Sequence, residues 1–363
     1  MRPDPANPAS QDFRDQVAEQ LDAFLEAKRT QLVGVSPALA ELTRVAADFV
    51  SGGKRLRPAF AYWGYVAACG SEEVPQEIWP AVSAFELLHA GILMHDDVLD
   101  EADTRRGNPT VHRQFEAWHR ASQGAGDPAQ FGRAMAVVLG DELIVWSDEL
   151  VSDSGLETAA WHRAGRYWHL VRTEVNTGQV LDLWAQYRVG SDAGNDPERV
   201  AAKVLEEKTS RYTVQRPVQF GAAAAGACEA TLEALGHFGL ALGRAFQLRD
   251  DLLGVFAATD QTGKPEAGDL VEGKRTMLLA KALELLDAPR RAQLEGLVGK
   301  PMTTDQIMTA RDLVTSSGAA GFIEQLIGDD YASALHALSQ AELSDPGRIA
   351  LTELARQCVE RQF

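Results

Sequence analysis

Apolar residues recur three and four positions apart along nearly the whole chain, which is the spacing of one face of an α-helix. The stretches DQVAEQLDAFLEAKRTQL (residues 15–32) and AAKVLEEKTSRYTVQRPVQFGAAAAG (residues 201–226) show this spacing. Alternating patterns bounded by Gly or Asn-Gly turns, which would predict strands, are scarce. The sequence therefore predicts an all-α protein with many helices joined by short loops.

Three segments rich in Gly, Pro and Asp interrupt this pattern, at residues 120–132, 187–198 and 258–274. The first two predict surface loops. The third contains Lys264, Asp269 and Lys274 and predicts a functional lid. No shift in composition marks a domain boundary. We therefore expect a disordered tail over residues 1–11 and a single all-helical domain over residues 12–363.

The chain has 363 residues and a formal net charge of −17. This charge argues against a nucleic-acid-binding protein, because that class is usually basic. Cys69, Cys228 and Cys358 are too widely spaced for a disulfide framework or a cysteine metal site. The N-terminus lacks the apolar core of a signal peptide, and no apolar stretch is long enough to span a bilayer. We expect a cytoplasmic protein with no nucleic-acid partner and no transmembrane segment.

Two acidic clusters come late in apolar helical segments, one in AVSAFELLHAGILMHDDVLD (residues 81–100) and one in FGLALGRAFQLRDDLLG (residues 238–254). Asp96 and Asp100 are four residues apart and share one helix face, with Asp97 between them. Asp250 and Asp251 repeat the arrangement. Carboxylates at a helix C-terminus are disfavoured by the helix dipole, and like charges four residues apart repel. Solvated acidic helix ends are the plain interpretation, whereas two such clusters favour Mg²⁺, which prefers oxygen ligands.

Positive charge is concentrated in SGGKRLRP (residues 51–58), before an apolar helical segment. Lys54, Arg55 and Arg57 would lie at a helix N-terminus, where anions rather than cations are favoured, so this arrangement predicts a bound anion. Arg105 and Arg106 offer two guanidinium groups that suit phosphate oxygens. Pairing with neighbouring carboxylates is the alternative for these two. Together, the acidic and basic clusters predict a substrate with diphosphate groups.

Six motifs, GGKRLRP, LLHAGILMHDDVLDEADTRRG, GQVLDL, EKTSRY, FQLRDDLLG and TGKPEAGDLVEGKRT, follow one another between residues 52 and 276. In these motifs the sequence resembles the trans-isoprenyl diphosphate synthases, the polyprenyl synthetase family. The resemblance implies an all-helical, isoprenoid synthase-type bundle around a deep central cavity, usually a homodimer. It also implies head-to-tail 1'-4 condensation of isopentenyl diphosphate with an allylic diphosphate, namely dimethylallyl, geranyl or farnesyl diphosphate.

The resemblance further assigns roles to individual residues. Magnesium, three ions per site, would be held by Asp96, Asp97, Asp100, Asp250 and Asp251. The allylic diphosphate would be contacted by Arg105, Lys208 and Lys264. Isopentenyl diphosphate would be held by Lys54, Arg57, His89 and Arg106. Thr209 and Gln247 would line the reacting carbons beside Lys208, and Lys274 would help to close the loop over the site.

Two of these motifs leave open questions. The second acidic motif of the family usually reads DDxxD, but here it reads DDLLG, with Gly254 at the last position. We expect Asp250 and Asp251 to suffice for activity, with an altered affinity for metal. In GQVLDL, Gln179 and Asp182 share a helix face, and this pattern fits helix–helix hydrogen bonding as well as a role in the site.

The residues eight, five and four positions before Asp96, which are Leu88, Gly91 and Ile92, are expected to set the product length. None is aromatic, and Gly91 is expected to leave space, so geranylgeranyl diphosphate (C20) is favoured over farnesyl diphosphate (C15). A longer product is the alternative, with Trp146 as one candidate for a deeper floor. Two further alternatives are a terpene cyclase, which needs only one diphosphate site, and a non-catalytic subunit of a heteromeric synthase.

Overall fold

The computed structural model describes residues 3–69, 74–187, 196–257 and 267–360. In this part of the chain it is all-α apart from a hairpin of two short strands with two residues each, β1 (Thr104–Arg105) and β2 (Asn108–Pro109). A short 3₁₀ helix (Pro37–Leu39) and a π-helix (Leu205–Gln215) accompany the α-helices. The α-helices are α1 (Gln11–Val35), α2 (Ala40–Val50), α3 (Leu56–Cys69), α4 (Ile78–Leu99), α5 (Val111–Ala121), α6 (Pro128–Ser152), α7 (Thr158–Tyr187), α8 (Pro197–Val204), α9 (Arg216–Ala225), α10 (Glu229–Phe256), α11 (Gly268–Val271), α12 (Met277–Leu285), α13 (Ala288–Leu297), α14 (Thr304–Ser317), α15 (Ala319–Gln340) and α16 (Asp345–Val359).

Helices α3, α4 and α9 are buried along most of their length because they are apolar on most faces. α4 packs against α6, α3 against α9, and α10 against both α15 and the π-helix. One cluster of buried hydrophobic residues extends from Ala9 to Val359, and the single domain stays a prediction. No helix among the described residues has both the length and the apolar character needed to cross a membrane.

The N-terminal segment differs from its prediction. Residues 3–10 pack against the helices instead of forming a disordered tail, because their apolar residues Pro3, Pro8 and Ala9 are buried there. Trp63 donates its indole N–H to the carbonyl of Pro8 at 2.9 Å, and Ala9 is buried. Ser10 then begins α1 by accepting a hydrogen bond from the backbone N–H of Phe13. The prediction of disorder is therefore wrong for residues 3–11.

Gly91 also differs from its prediction. A Cβ atom built on Gly91 would lie 2.6 Å from the carbonyl oxygen of Gly140 and 2.8 Å from Cγ1 of Ile144, both on α6. The missing side chain therefore lets α4 and α6 approach closely, and it leaves no open space for a product. Leu88 is fully buried in the core and Ile92 packs against it.

The segment containing Lys208 has the apolar spacing of an α-helix, but its middle is the π-helix between α8 and α9. A π-helix is wider than an α-helix, is rare at this length and often marks a functional site. Glycines in both neighbouring helices make room for it. A Cβ atom on Gly178 of α7 would lie 2.5 Å from Cα of Lys208, and one on Gly243 of α10 would lie 2.7 Å from Cβ of Ser210.

Of the three predicted loops, the first is confined to residues 122–127, between α5 and α6. The central parts of the other two, residues 188–195 and 258–266, lie outside the described residues. Lys264, the predicted contact for the allylic diphosphate, falls in the last of these segments, so its position stays a prediction.

Candidate active site

Asp96, near the C-terminal end of α4, meets a lysine from the π-helix. Lys208 Nζ lies 3.1 Å from a carboxylate oxygen of Asp96 and 2.6 Å from one of Asp182 on α7. Burial alone would raise the pKa of Asp96, but the positive charges of Lys208, Lys274 and Arg105 bring it down to about 2. Asp96 is therefore held as a carboxylate, and Asp182 belongs to the same cluster.

The other two carboxylates of this motif are paired with cations as well. Arg105 donates from Nε to both oxygens of Asp97, at 2.7 and 2.9 Å. Lys274 Nζ lies 3.1 Å from Asp100 and 2.7 Å from Glu272. Burial nevertheless raises the pKa of both Asp97 and Asp100, because removal from water outweighs the attraction of the cations. Arg105 is therefore paired with Asp97 of the acidic motif itself.

A second group of side chains gathers around Arg57 at the start of α3. Arg57 donates to Oγ1 of Thr213 at 2.9 Å, and its guanidinium lies 4.2 Å from the ring centroid of Tyr212. The Tyr212 hydroxyl is hydrogen-bonded to Nδ1 of His89 at 2.9 Å. Burial lowers the pKa of His89 well below its usual value, and the charge of Arg57 adds to the effect. Nε of Arg57 is buried and has no hydrogen-bond partner among the described residues, as expected if a ligand supplies one.

The remaining basic residues of this region differ in exposure: one is buried in an ion pair and two are exposed to solvent. Arg55 turns inward and forms a buried ion pair with Glu86 at 2.8 Å. Lys54 and Arg106 are exposed, and the guanidinium of Arg106 lies 3.6 Å from the position of a Cβ atom on Gly53. A small cleft brings His89 and Arg106 together. Arg57, His89 and Arg106 therefore lie in one region, and Lys54 precedes Arg57 by three residues.

The second acidic motif lies near the C-terminal end of α10. Gln247 donates from its amide to a carboxylate oxygen of Asp251 at 2.7 Å. Asp251 is buried, and burial raises its pKa well above the usual value; the charges of Asp250 and Asp182 act in the same direction. Asp182 thus interacts with Asp251 of this motif and with Lys208, which binds Asp96 of the first motif. Both acidic motifs therefore face one site.

The residues fit magnesium only if the ion shares its ligands with a phosphate group. Within the described ranges, no three His, Cys, Asp or Glu side chains are close enough together to hold a metal ion by themselves. Magnesium commonly takes one or two carboxylates and completes its shell with water and substrate phosphates, so it needs no such cage. Carboxylates on α4 and α10 supply the required oxygen ligands. The assignment of individual aspartates as ligands stays a prediction.

The structure brings together most of the residues predicted for the site. Lys208, Lys274 and Arg105 contact the carboxylates of α4, and Thr209 follows Lys208 on the π-helix. Sequence reasoning missed Tyr212, Thr213 and Glu272 and left Asp182 undecided. Tyr212 and Thr213 follow Lys208 by four and five residues, and a π-helix places residues at this spacing on one face. This spacing was the feature of the sequence that could have identified them.

Comparison with known proteins agrees with this geometry. A family model described as polyprenyl synthetase matches residues 39–314. The chain belongs to the polyprenyl synthetase family. A crystal structure of geranylgeranyl pyrophosphate synthase from Corynebacterium glutamicum, complexed with isoprenyl diphosphate and magnesium, is 37% identical; the match has a TM-score of 0.92 and covers 96% of this chain and 99% of that one.

Curated relatives in the polyprenyl synthetase family differ in product. The geranylgeranyl diphosphate synthase of Mycobacterium tuberculosis is 33% identical over 85% of this chain and 81% of its own length. The nonaprenyl diphosphate synthase of the same organism is 30% identical over 86% and 84%. The predictions of an all-α fold and of a trans-prenyltransferase are therefore confirmed, and magnesium dependence is general for the family. The family match alone leaves the chain length of the product open.

Proposed function

We propose that this protein condenses isopentenyl diphosphate with allylic diphosphates, head to tail, and that its main product is geranylgeranyl diphosphate. The observation that carries the proposal is the division of charge in the site. Carboxylates at the end of α4 are paired with cations, and the carboxylates of α10 lie near the same cluster. A second set of side chains gathers around Arg57 at the start of α3 and His89 of α4. Two diphosphate sites are what the condensation requires, whereas a terpene cyclase needs one.

The allylic diphosphate is proposed to bind at the paired cluster. Arg105, Lys208 and Lys274 each neutralise a carboxylate of α4, and they are placed to transfer their hydrogen bonds to the diphosphate, together with Lys264. Magnesium, which we propose binds as three ions between the aspartates and the diphosphate, would stabilise the negative charge that develops on the departing group. Thr209 and Gln247 are proposed to line the reacting carbons, where exclusion of water protects the allylic cation.

Isopentenyl diphosphate is proposed to bind at the second set, which consists of Lys54, Arg57, His89 and Arg106. The unpaired Nε of Arg57 and the guanidinium of Arg106 offer donors to phosphate oxygens. His89, kept neutral by its low pKa, offers a ring nitrogen while its other nitrogen is hydrogen-bonded to Tyr212. The proton lost after condensation is proposed to pass to the released diphosphate, so no protein base is needed.

A cluster of three aromatic rings is proposed as the floor that limits product length. Phe85 lies eleven residues before Asp96, about three turns and roughly 16 Å along the same face of α4. Its ring centroid lies 5.0 Å from that of Trp168 on α7 and 5.3 Å from that of Phe220 on α9. All three side chains are fully buried. We therefore propose that this cluster, rather than Gly91, sets the product length.

The test is an incubation of the purified protein with Mg²⁺, isopentenyl diphosphate and, separately, dimethylallyl, geranyl and farnesyl diphosphate, with products read by mass spectrometry. A C20 product supports the proposal, and a longer ladder places the floor deeper. A cyclic hydrocarbon would favour a terpene cyclase. Absence of product from every starter would favour a non-catalytic subunit of a heteromeric synthase.

The floor has its own matched pair of variants. Phe85→Leu shortens the side chain beneath the product, so longer products are expected. Phe115→Leu makes the same change at an equally buried phenylalanine on α5, and C20 is expected to remain the main product. If both variants keep the wild-type product, the aromatic cluster does not limit chain length.

We also propose that the protein is a homodimer that pairs through α6. Val138 and Val145, seven residues apart on one face of this helix, are 53% and 59% exposed, and Val137 beside them is exposed too. Trp118 of the adjoining helix α5 adds a further exposed apolar side chain. Such a patch on a soluble chain fits an interface between identical subunits. Light scattering after size-exclusion chromatography should give a dimer for the wild type and a monomer for the Val138→Glu/Val145→Glu variant.

A cytoplasmic location is part of the same proposal. Its support is chemical, because Cys69, Cys228 and Cys358, all within the described residues, form no disulfide bond, as is usual for proteins of reducing compartments. Cell fractionation with an antibody against the protein would test it.

A further inference from the structure

Position 254 carries no side chain, and the space that a side chain there would fill holds a carboxylate from another helix. A Cβ atom built on Gly254 would lie 2.6 Å from Cγ of Asp269 and closer still to its Oδ2. Gly254 comes four residues after Asp250 on α10, so both positions share one face of the helix. Asp269 therefore reaches the place at which the last aspartate of a DDxxD motif would begin.

We propose that Asp269 replaces that missing aspartate and completes the acidic wall that α10 presents to the metal and diphosphate. The inference rests on the proposed function, since it assigns a residue to the metal-binding side of the same site. It also explains why DDLLG need not be a broken motif. The carboxylate comes from α11, and glycine at position 254 is the residue that gives it room.

The backbone around Asp269 fixes the side chain in this position. α11 begins after Ala267, whose φ of +51° lies in the left-handed region that non-glycine residues rarely adopt. The carbonyl of Asp269 accepts a hydrogen bond from the backbone N–H of Lys274 at 2.9 Å. Asp269 itself is buried. The turn that contains it is thus anchored to the residue that pairs with Asp100 of α4.

Asp269 lies near both a cation, Lys274, and a second buried carboxylate, Asp251. Burial would lower the pKa of Lys274, but Asp269 and Asp100 are among the carboxylates that raise it well above its usual value. On the other side, Asp269 adds to the raised pKa of the buried Asp251. Holding two buried carboxylates near each other disfavours folding unless cations compensate. Lys274 is one such cation, but Asp269 shares it with Asp100 and Glu272.

The proposal is tested by moving the carboxylate from position 269 to position 254. Binding of inorganic pyrophosphate and Mg²⁺ is measured by calorimetry, without turnover. Asp269→Asn should weaken binding about 10-fold or more, because it removes the carboxylate and keeps the size of the side chain. Gly254→Asp alone should lower the melting temperature, because its side chain overlaps Asp269. The double variant Gly254→Asp/Asp269→Ala has both the space and the carboxylate, and should recover most of the lost affinity.

The matched control is Gly254→Ala/Asp269→Ala, which relieves the same overlap but supplies no carboxylate, and it should bind as weakly as Asp269→Asn. Equal affinities of the two double variants, or wild-type affinity in Asp269→Asn, would overturn the inference. Failure of the proposed function would look different. In that case the wild-type protein itself would neither bind pyrophosphate with Mg²⁺ nor form product.

Discussion

Acidification should destabilise this protein through His89. The imidazole is enclosed between α4 and the π-helix and is hydrogen-bonded to Tyr212. Burial lowers its pKa well below 6.5, and so do the charges of the arginines that face it, which are Arg57, Arg106, Arg105 and Arg55. In the unfolded chain the same ring regains a pKa of about 6.5. Below pH 6.5 the unfolded state therefore binds a proton at His89 that the folded state does not bind.

The sign and size of the effect follow from linkage. The loss of stability begins near pH 6.5, where the unfolded histidine starts to bind its proton, and continues down to the lower pKa of the folded state. Within that window, each pH unit lowers the free energy of unfolding by up to about 1.4 kcal/mol. Between pH 7.5 and 5.0 the loss can reach about 2 kcal/mol, a large part of the roughly 5–15 kcal/mol that holds a typical domain together.

Urea denaturation followed by tryptophan fluorescence from pH 7.5 to 5.0 measures this loss. The decisive quantity is the difference between the wild type and His89→Gln, which keeps a polar partner for Tyr212 but has no titrating ring. His89→Gln should lose up to about 2 kcal/mol less over this range. His336→Gln, a change at an exposed histidine, should behave as the wild type. Parallel curves for wild type and His89→Gln would refute the reasoning.

Two further predictions concern the π-helix. Gly178→Ala should lower the melting temperature, because its methyl group would overlap the backbone of Lys208 and overpacking costs roughly 1–3 kcal/mol. The control Gly34→Ala, in open space on α1, should raise the melting temperature. Equal shifts in the two variants would contradict the packing argument. Lys208→Met should destabilise the metal-free protein by roughly 3 kcal/mol, because buried carboxylates lose their cation. Mg²⁺ with pyrophosphate should then raise the melting temperature of this variant more than that of the wild type, and a smaller rise would count against Lys208 as an internal counter-ion.

The fold class was predictable because it depends on local periodicity. Apolar spacing along α1 and α4 is enough to indicate helices, and a separation of four residues places Asp96 and Asp100 on one face whatever surrounds them. The charge clusters at the ends of these helices could likewise be read as a metal and anion site, because their chemistry is unfavourable without a ligand.

The parts that could not be predicted depend on neighbours distant in the sequence. Gly91 was expected to leave space, but whether a missing side chain leaves a cavity or lets a helix approach is decided by α6. The Pro-rich N-terminus has the composition of a tail, yet Trp63 lies where it can bind the carbonyl of Pro8. The partners of Lys208 were unpredictable for the same reason, since Asp96 and Asp182 come from different helices.

The glycines around the π-helix have a consequence for mutational tolerance. Gly178, Gly239 and Gly243 face its backbone from two helices, and a methyl group on any of them would overlap it. In a library of all single substitutions selected for activity, these positions should tolerate as little change as Asp96, although they contact no substrate. Low tolerance at these glycines would show that the helix backbones lie too close for a side chain. Positions that are essential for activity in this protein would therefore include helix contacts as well as residues of the active site.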